Sequence, residues 1–302
     1  MELVRPGTQI NFVGQSRRFS VVSAAVCAAV LLLMLVRGFN LGIDFAGGTL
    51  VQVGIPDAVG AVDEGRVRGA ASDAGFPDAV VMRFGAEEER AFLISLPISE
   101  EESNNLTLTV VNGLSEALGQ KVEVQRIESI GPRVGGELRQ AGIGALLLSW
   151  ALILIYIWFR FDLRYAPGAV VALIHDVLIT AGVFVLLGYE FNLQVLAALL
   201  VVIGYSLNDT IVIYDRIREN FELRGTTHIE EVVNQSINQT LARTLLTSLT
   251  TLAVVVSLLV LGGPVIRDFA FGLLIGVVIG TYSTIYVASA MLIWLERRFK
   301  PA

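Results

Sequence analysis

The chain has 302 residues, of which 54% are hydrophobic and 17% charged, with a mean hydropathy of +0.67 and a formal net charge of −6. A soluble domain carries about a quarter charged residues, so this balance points to a membrane protein. The single cysteine, Cys27, rules out an intrachain disulfide, and its place among alanines in an apolar run reads as a small buried side chain rather than a redox group.

The apolar residues are clustered. Windows of about 18 or more largely uncharged residues are long enough to cross a hydrocarbon core of about 30 Å. They occur near Phe19 to Val36, Ala141 to Phe159, Ala166 to Leu187, Leu193 to Tyr214, Leu241 to Leu261 and Phe269 to Leu295, which predicts six transmembrane helices. The first has a basic flank, but it is longer than a signal-peptide core, and Val36-Arg37-Gly38-Phe39 makes a poor cleavage site, so a retained anchor is expected. Basic residues collect before the first span (Arg5, Arg17, Arg18), between the second and third (Arg160, Arg164), between the fourth and fifth (Arg216, Arg218, Arg224) and at the C-terminus (Arg297, Arg298, Lys300). The alternate short loops hold only Glu190 and the pair Arg267 and Asp268. The positive-inside rule then places both termini in the cytoplasm. The expected parts are a cytoplasmic segment 1–18, span 19–36, an extracytoplasmic domain 38–140, a five-helix part 141–295 and a cytoplasmic tail 296–302.

Residues 38–140 hold sixteen acidic and eight basic residues, a net −8, while the rest of the chain carries +2. The acidity is local to this domain, which argues against nucleic acid or anionic lipid as its partner. Strands are predicted at Leu50 to Ile55, Ala79 to Phe84, Ala91 to Leu96 and Val122 to Ser129, the last with imperfect alternation of Val122, Val124 and Ile127. Helices are predicted at Val62 to Gly75 and Glu100 to Leu118, the second after an N-cap at Ser99 with Glu102 in the capping-box position. The order βαββαβ is a ferredoxin-like α+β arrangement. The domain has no His, no Cys and no phosphate loop, and the acidic runs 87–89 and 100–102 read as solvated turn and helix-start residues. It reads as a binding or lever module, with no cofactor and no metal expected.

Ionisable residues inside spans cost about 2.5 to 3.5 kcal/mol each on insertion scales and need a reason. Asp176, Asp209 and Arg243 are the candidates. Asp209 closes Tyr205-Ser206-Leu207-Asn208-Asp209 in the fourth span, and Arg243 lies in the first turns of the fifth, at a compatible depth. Thr240, Arg243, Thr244, Thr247 and Thr251 recur at helical spacing and form a polar stripe that lipid does not satisfy. One reading of Asp209 and Arg243 is a static ion pair, and another is an arginine snorkelling to the interface. The functional reading is a proton switch, since burial disfavours a carboxylate and a neighbouring guanidinium favours it. His175-Asp176 in the third span reads either as a second relay or as a simple hydrogen-bonding group. Gly272, Gly276, Gly280, Thr284 and Ala288 form a small-residue ladder for close helix packing.

Four blocks carry a family resemblance: GIDFAGGT at 42–49, GPRVGGEL at 131–138, YSLNDTIVIYDRIREN at 205–220 and NQSINQTLARTLLTSLTT at 234–251. With these the chain resembles the SecF family of the resistance-nodulation-division superfamily, and its length is similar to SecF without a fused SecD half. The resemblance implies a bacterial inner-membrane subunit that works with SecD and the SecYEG channel. It implies use of the proton motive force to draw an unfolded preprotein across the membrane, without covalent chemistry. It also implies that Asp209 and Arg243 are this subunit's share of a proton pathway, with another essential acid supplied by SecD; the reading of the residues themselves adds Asn208, Thr247 and Asp176 as further candidates for that pathway. The glycine-rich blocks are expected to make tight turns and hinges at the lipid surface. A small-molecule exporter of the same superfamily and a passive assembly factor are the competing readings.

Overall fold

The computed structural model describes residues 8–55, 62–84, 90–96, 103–160, 165–224 and 228–299. The first span is α1 (Phe12–Arg37), which Asn11 caps by accepting from the Gly14 amide at 2.7 Å. It buries only Phe12 and Ser23, so most of its apolar surface lies at the edge of the bundle.

After α1 comes a single turn, α2 (Ile43–Ala46), and then Gly47 and Gly48 with φ of +78° and +144°, which swing the chain into β1 (Gly48–Gly54). Side chains are strained in that region, so the turn requires glycine. There follow α3 (Glu64–Asp73), β2 (Val80–Phe84), β3 (Ala91–Leu96), α4 (Ser103–Leu118) and β4 (Glu123–Ile130). The sheet is antiparallel with strand order β2-β3-β1-β4, the ferredoxin-like topology expected from βαββαβ. Val51, Val53, Phe92, Ile94 and Leu96 pack under Val67 and Ala71 of α3 and Leu114 of α4. In the last strand the expected alternation gives no buried face: Val124 and Ile127 are 38% and 43% exposed, and only Val122, just before it, joins the core. Residues three apart point to opposite faces, and the β1–β4 register also shifts between Gln52 and Val53. The expected cap at Ser99, the capping-box Glu102 and both acidic runs lie outside the described residues.

The remaining spans are α5 (Pro132–Arg160), α6 (Ala166–Leu187), α7 (Leu193–Arg224), α8 (Ile229–Leu261) and a sixth broken into α9 (Pro264–Ser283), a π turn (Thr284–Ala288) and α10 (Ser289–Phe299). Several helices outrun their apolar windows. In α7 the polar extension is supported by the pairs Arg216–Glu219 and Arg218–Glu222, one turn apart. The second glycine block departs from the expected hinge, because Gly135 and Gly136 lie within α5. A Cβ at Gly135 would sit 2.8 Å from the Gly47 nitrogen, so that glycine serves close approach of α5 to the turn before β1.

The centre of the bundle is α7 against α9. The small-residue ladder meets a second ladder: a Cβ at Gly272 would lie 2.8 Å from Ala198, one at Gly276 would overlap Val202, and one at Gly280 would lie 3.1 Å from Ser206. The rungs continue as hydroxyl contact between Thr284 and Thr210 at 3.0 Å, and as the Tyr214 hydroxyl donating to the Ala288 carbonyl at 3.1 Å. In an α-helix a step of four residues advances the face by about 40°. The wider π turn at Thr284–Ala288 offsets that drift and keeps the last rungs facing α7.

Candidate functional site

Asp209 sits on α7 one turn past Ser206 and is 3% exposed. With the ladder residues turned to α9, its carboxyl faces α8, where Arg243, Thr247 and Ser248 are the polar side chains that act on it. Among the described residues no ion pair joins Asp209 to Arg243, and Asp209 Oδ2 is buried without a hydrogen-bond partner. The static ion pair therefore lacks its geometry. A carboxylate oxygen left open beside a guanidinium on an adjacent helix can take up a proton with little rearrangement.

The polar stripe of α8 is only half covered. Thr240, Thr244 and Ser248 are buried against the bundle, Thr247 and Thr251 are half-buried, and Arg243 is exposed. The hydroxyl of Thr247 donates to the carbonyls of Arg243 and Thr244, and that of Thr250 to Leu246 and Thr247, so these side chains are satisfied within their own helix. Asn208 does not enter the site: it is exposed on α7, on the side opened by Gly204. Asn208 on α7 and Arg243 on α8 are each exposed polar groups that lipid alone does not satisfy.

Asp176 lies in a different cluster, fully buried on α6. Its Oδ2 accepts from Ser206 of α7 at 2.5 Å and from Ser283 of α9 at 2.7 Å, and its Oδ1 is 2.8 Å from His175 Nδ1. The His175 ring stacks on Tyr282, whose hydroxyl donates to the Phe19 carbonyl of α1 and meets Ser23 at 2.8 Å. The sequence marked Asp176 but not its serine partners.

Other motif residues prove to be joints. Asn234 Oδ1 accepts from the Phe12 and Val13 amides and Asn238 Oδ1 from Ile10, so α8 holds the start of α1. Asn220 donates to Ser236 and Gln239 and ties the end of α7 to α8. At the opposite end of the bundle, the loop before α7 is stitched to the segment after α1. Phe191 donates to the Asn40 carbonyl, Gly42 donates to that of Phe191, and the Leu193 amide donates to Asp44. Glu190 lies in that seam, where burial and the negative charges of Asp268 and Asp44 push its carboxyl up to about 7. Among the described residues no group of three or more His, Cys, Asp and Glu side chains is arranged to hold a metal ion.

Residues 110–298 match the family of the protein export membrane protein SecD/SecF, C-terminal, and residues 32–55 match the SecD/SecF GG motif. A protein translocase subunit SecF from Desulfurispirillum indicum is 47% identical over 287 residues, covering 93% of this chain and 90% of the relative. The chain belongs to the SecF family of protein translocase subunits. SecF of Vibrio alginolyticus is 42% identical over 290 residues, covering 96% of this chain and 91% of the relative. A crystal structure of SecDF, a translocon-associated membrane protein of Thermus thermophilus, superposes with a TM-score of 0.83 at 40% identity. That match covers 97% of this chain but only 39% of the SecDF chain. SecDF in a super-membrane-facing form superposes with a TM-score of 0.73. These relatives favour protein translocation over small-molecule export.

Proposed function

We propose that this SecF-family chain pairs with a SecD subunit in the bacterial inner membrane and uses the proton motive force to promote movement of unfolded preproteins delivered by the SecYEG channel. The observation that carries the reading is Asp209: buried, open at one carboxylate oxygen and under the influence of Arg243 across the α7–α8 contact. Protonation removes the attraction between carboxylate and guanidinium and lets α7 and α8 shift. A proton moving down about 150 mV supplies about 3.5 kcal/mol, enough to bias a two-state helix rearrangement. Thr247 borders the carboxyl, Asn208 lies on the open side of the same turn, and Asp176 supports α7 from behind. The SecDF relatives in which this chain matches about two fifths of the length support a SecD partner. So does the exposure of Asn208 and of Arg243, polar groups within spans that a second membrane subunit would cover. The basic loops support cytoplasmic termini, with residues 38–140 outside.

The test is Asp209→Asn in proteoliposomes containing the full chain, SecD and SecYEG. Gradient-stimulated export is expected to fall at least tenfold, with complex assembly and gradient-independent export retained. Export that still responds to the gradient at the parental rate would sink the switch.

A further inference from the structure

The Asp176 cluster occupies a mechanical rather than a conducting position. Its carboxyl has no exposed surface, and both of its oxygens are engaged. The two serines that donate to Oδ2 come from the two helices of the ladder. Ser206 is itself a rung, 3.1 Å from where a Cβ on Gly280 would lie, and Ser283 is the last residue before the π turn. Asp209 follows Ser206 by three residues, so a slip or rotation of α7 against α9 at this rung swings Asp209 relative to α8.

We propose that Asp176 is a positioning residue: by accepting from Ser206 and Ser283 at once, it holds α7 and α9 in the register that aims Asp209 at Arg243. The proposal rests on the proton-switch reading of Asp209 for its functional consequence, but the register itself is a separate physical claim. An acceptor at this point is what matters, not a transferable proton. An asparagine oxygen has two lone pairs and is able to accept both serine hydroxyls, whereas leucine leaves both without their partner.

The experiment uses the full chain with SecD and SecYEG in proteoliposomes, comparing Asp176→Asn, Asp176→Leu and the double variant Ser206→Ala/Ser283→Ala. Gradient-stimulated export and its pH profile are measured beside complex assembly. A second readout is independent of activity: the spin-label distance between Val201→Cys on α7 and Val278→Cys on α9, two exposed positions, in a Cys27→Ser background. Asp176→Asn is expected to keep export within about twofold, with an unshifted pH profile and a sharp distance. Asp176→Leu and the double serine variant are expected to lower export at least fivefold, displace the pH profile and broaden or shift the distance. If Asp176→Asn were as inactive as Asp209→Asn with assembly intact, Asp176 would be a proton carrier and the positioning role would be wrong. An unmoved distance in the double serine variant overturns the proposal even if Asp176→Leu fails to fold. Failure of the switch reading appears elsewhere, in an active Asp209→Asn, and leaves the distance measurement decisive.

Discussion

Two buried aspartates on neighbouring helices, Asp176 and Asp209, look alike in sequence and differ in everything around them. Asp176 has both oxygens engaged and binds three helices at a rung of the α7–α9 ladder. Asp209 faces α8 with one oxygen open and a guanidinium acting across a helix contact. The cost of placing a carboxylate in a membrane is offset in the first case by hydrogen bonds to both of its oxygens. In the second it is left partly uncompensated, which is the condition for a group that changes state. The side chain is the same in both; the partners that the neighbouring helices bring to it differ.

The strongest break of that comparison removes the ladder on which both depend. Gly276→Val puts a branched side chain into space that Val202 already fills, so α7 and α9 must separate. A loss of about 3 kcal/mol or more is expected, read as a lower thermal midpoint in detergent and poor assembly. Next, Arg243→Gln removes the charge that acts on Asp209 without touching the Asp176 cluster. Gradient-stimulated export is expected to fall about tenfold with the thermal midpoint nearly unchanged, because the guanidinium is exposed and makes no ion pair with Asp209.

Smaller effects sharpen the contrast away from the bundle centre. Gly47→Ala forces an alanine to φ near +78° and its Cβ to 2.8 Å from Pro132 Cα, so the junction between β1 and α5 should weaken by about 1–2 kcal/mol, seen as faster amide exchange there. Glu190 supplies a pH test. Its carboxyl ordinarily titrates at 4.5 and in the folded chain near 7, so between those values the folded state binds more protons than the unfolded one. Stability therefore falls as pH rises through that window and levels off above it. Glu190→Gln is expected to flatten this dependence and to stabilise the chain at pH 8 by on the order of 1 kcal/mol. Thr250→Val is the mildest: among the described residues its hydroxyl bonds only to its own helix, so export and stability should stay within about 0.5 kcal/mol of the parent.

The spans were legible because lipid demands long uncharged runs, and the inserted domain because the hydropathy period changes abruptly at its borders. Gly272, Gly276 and Gly280 announced one side of the ladder by their spacing. The other side did not show, since Ala198, Val202, Ser206, Thr210 and Tyr214 share a spacing but not a size. Asp209 and Arg243 stood out as charges in apolar windows, yet rotation about the helix axis decided that Asn208 points outward while Asp209 points to α8. The serines around Asp176 and the π turn depend on contacts between spans far apart in the chain, which no local pattern encodes.

The most direct measurement is infrared difference spectroscopy of the complex in lipid across a pH jump, with Asp209→Asn and Asp176→Asn as controls. A switch at Asp209 predicts a protonated-carboxyl band that comes and goes with pH, absent in Asp209→Asn and retained in Asp176→Asn. A band lost only in Asp176→Asn, or no titrating carboxyl at Asp209, would contradict it.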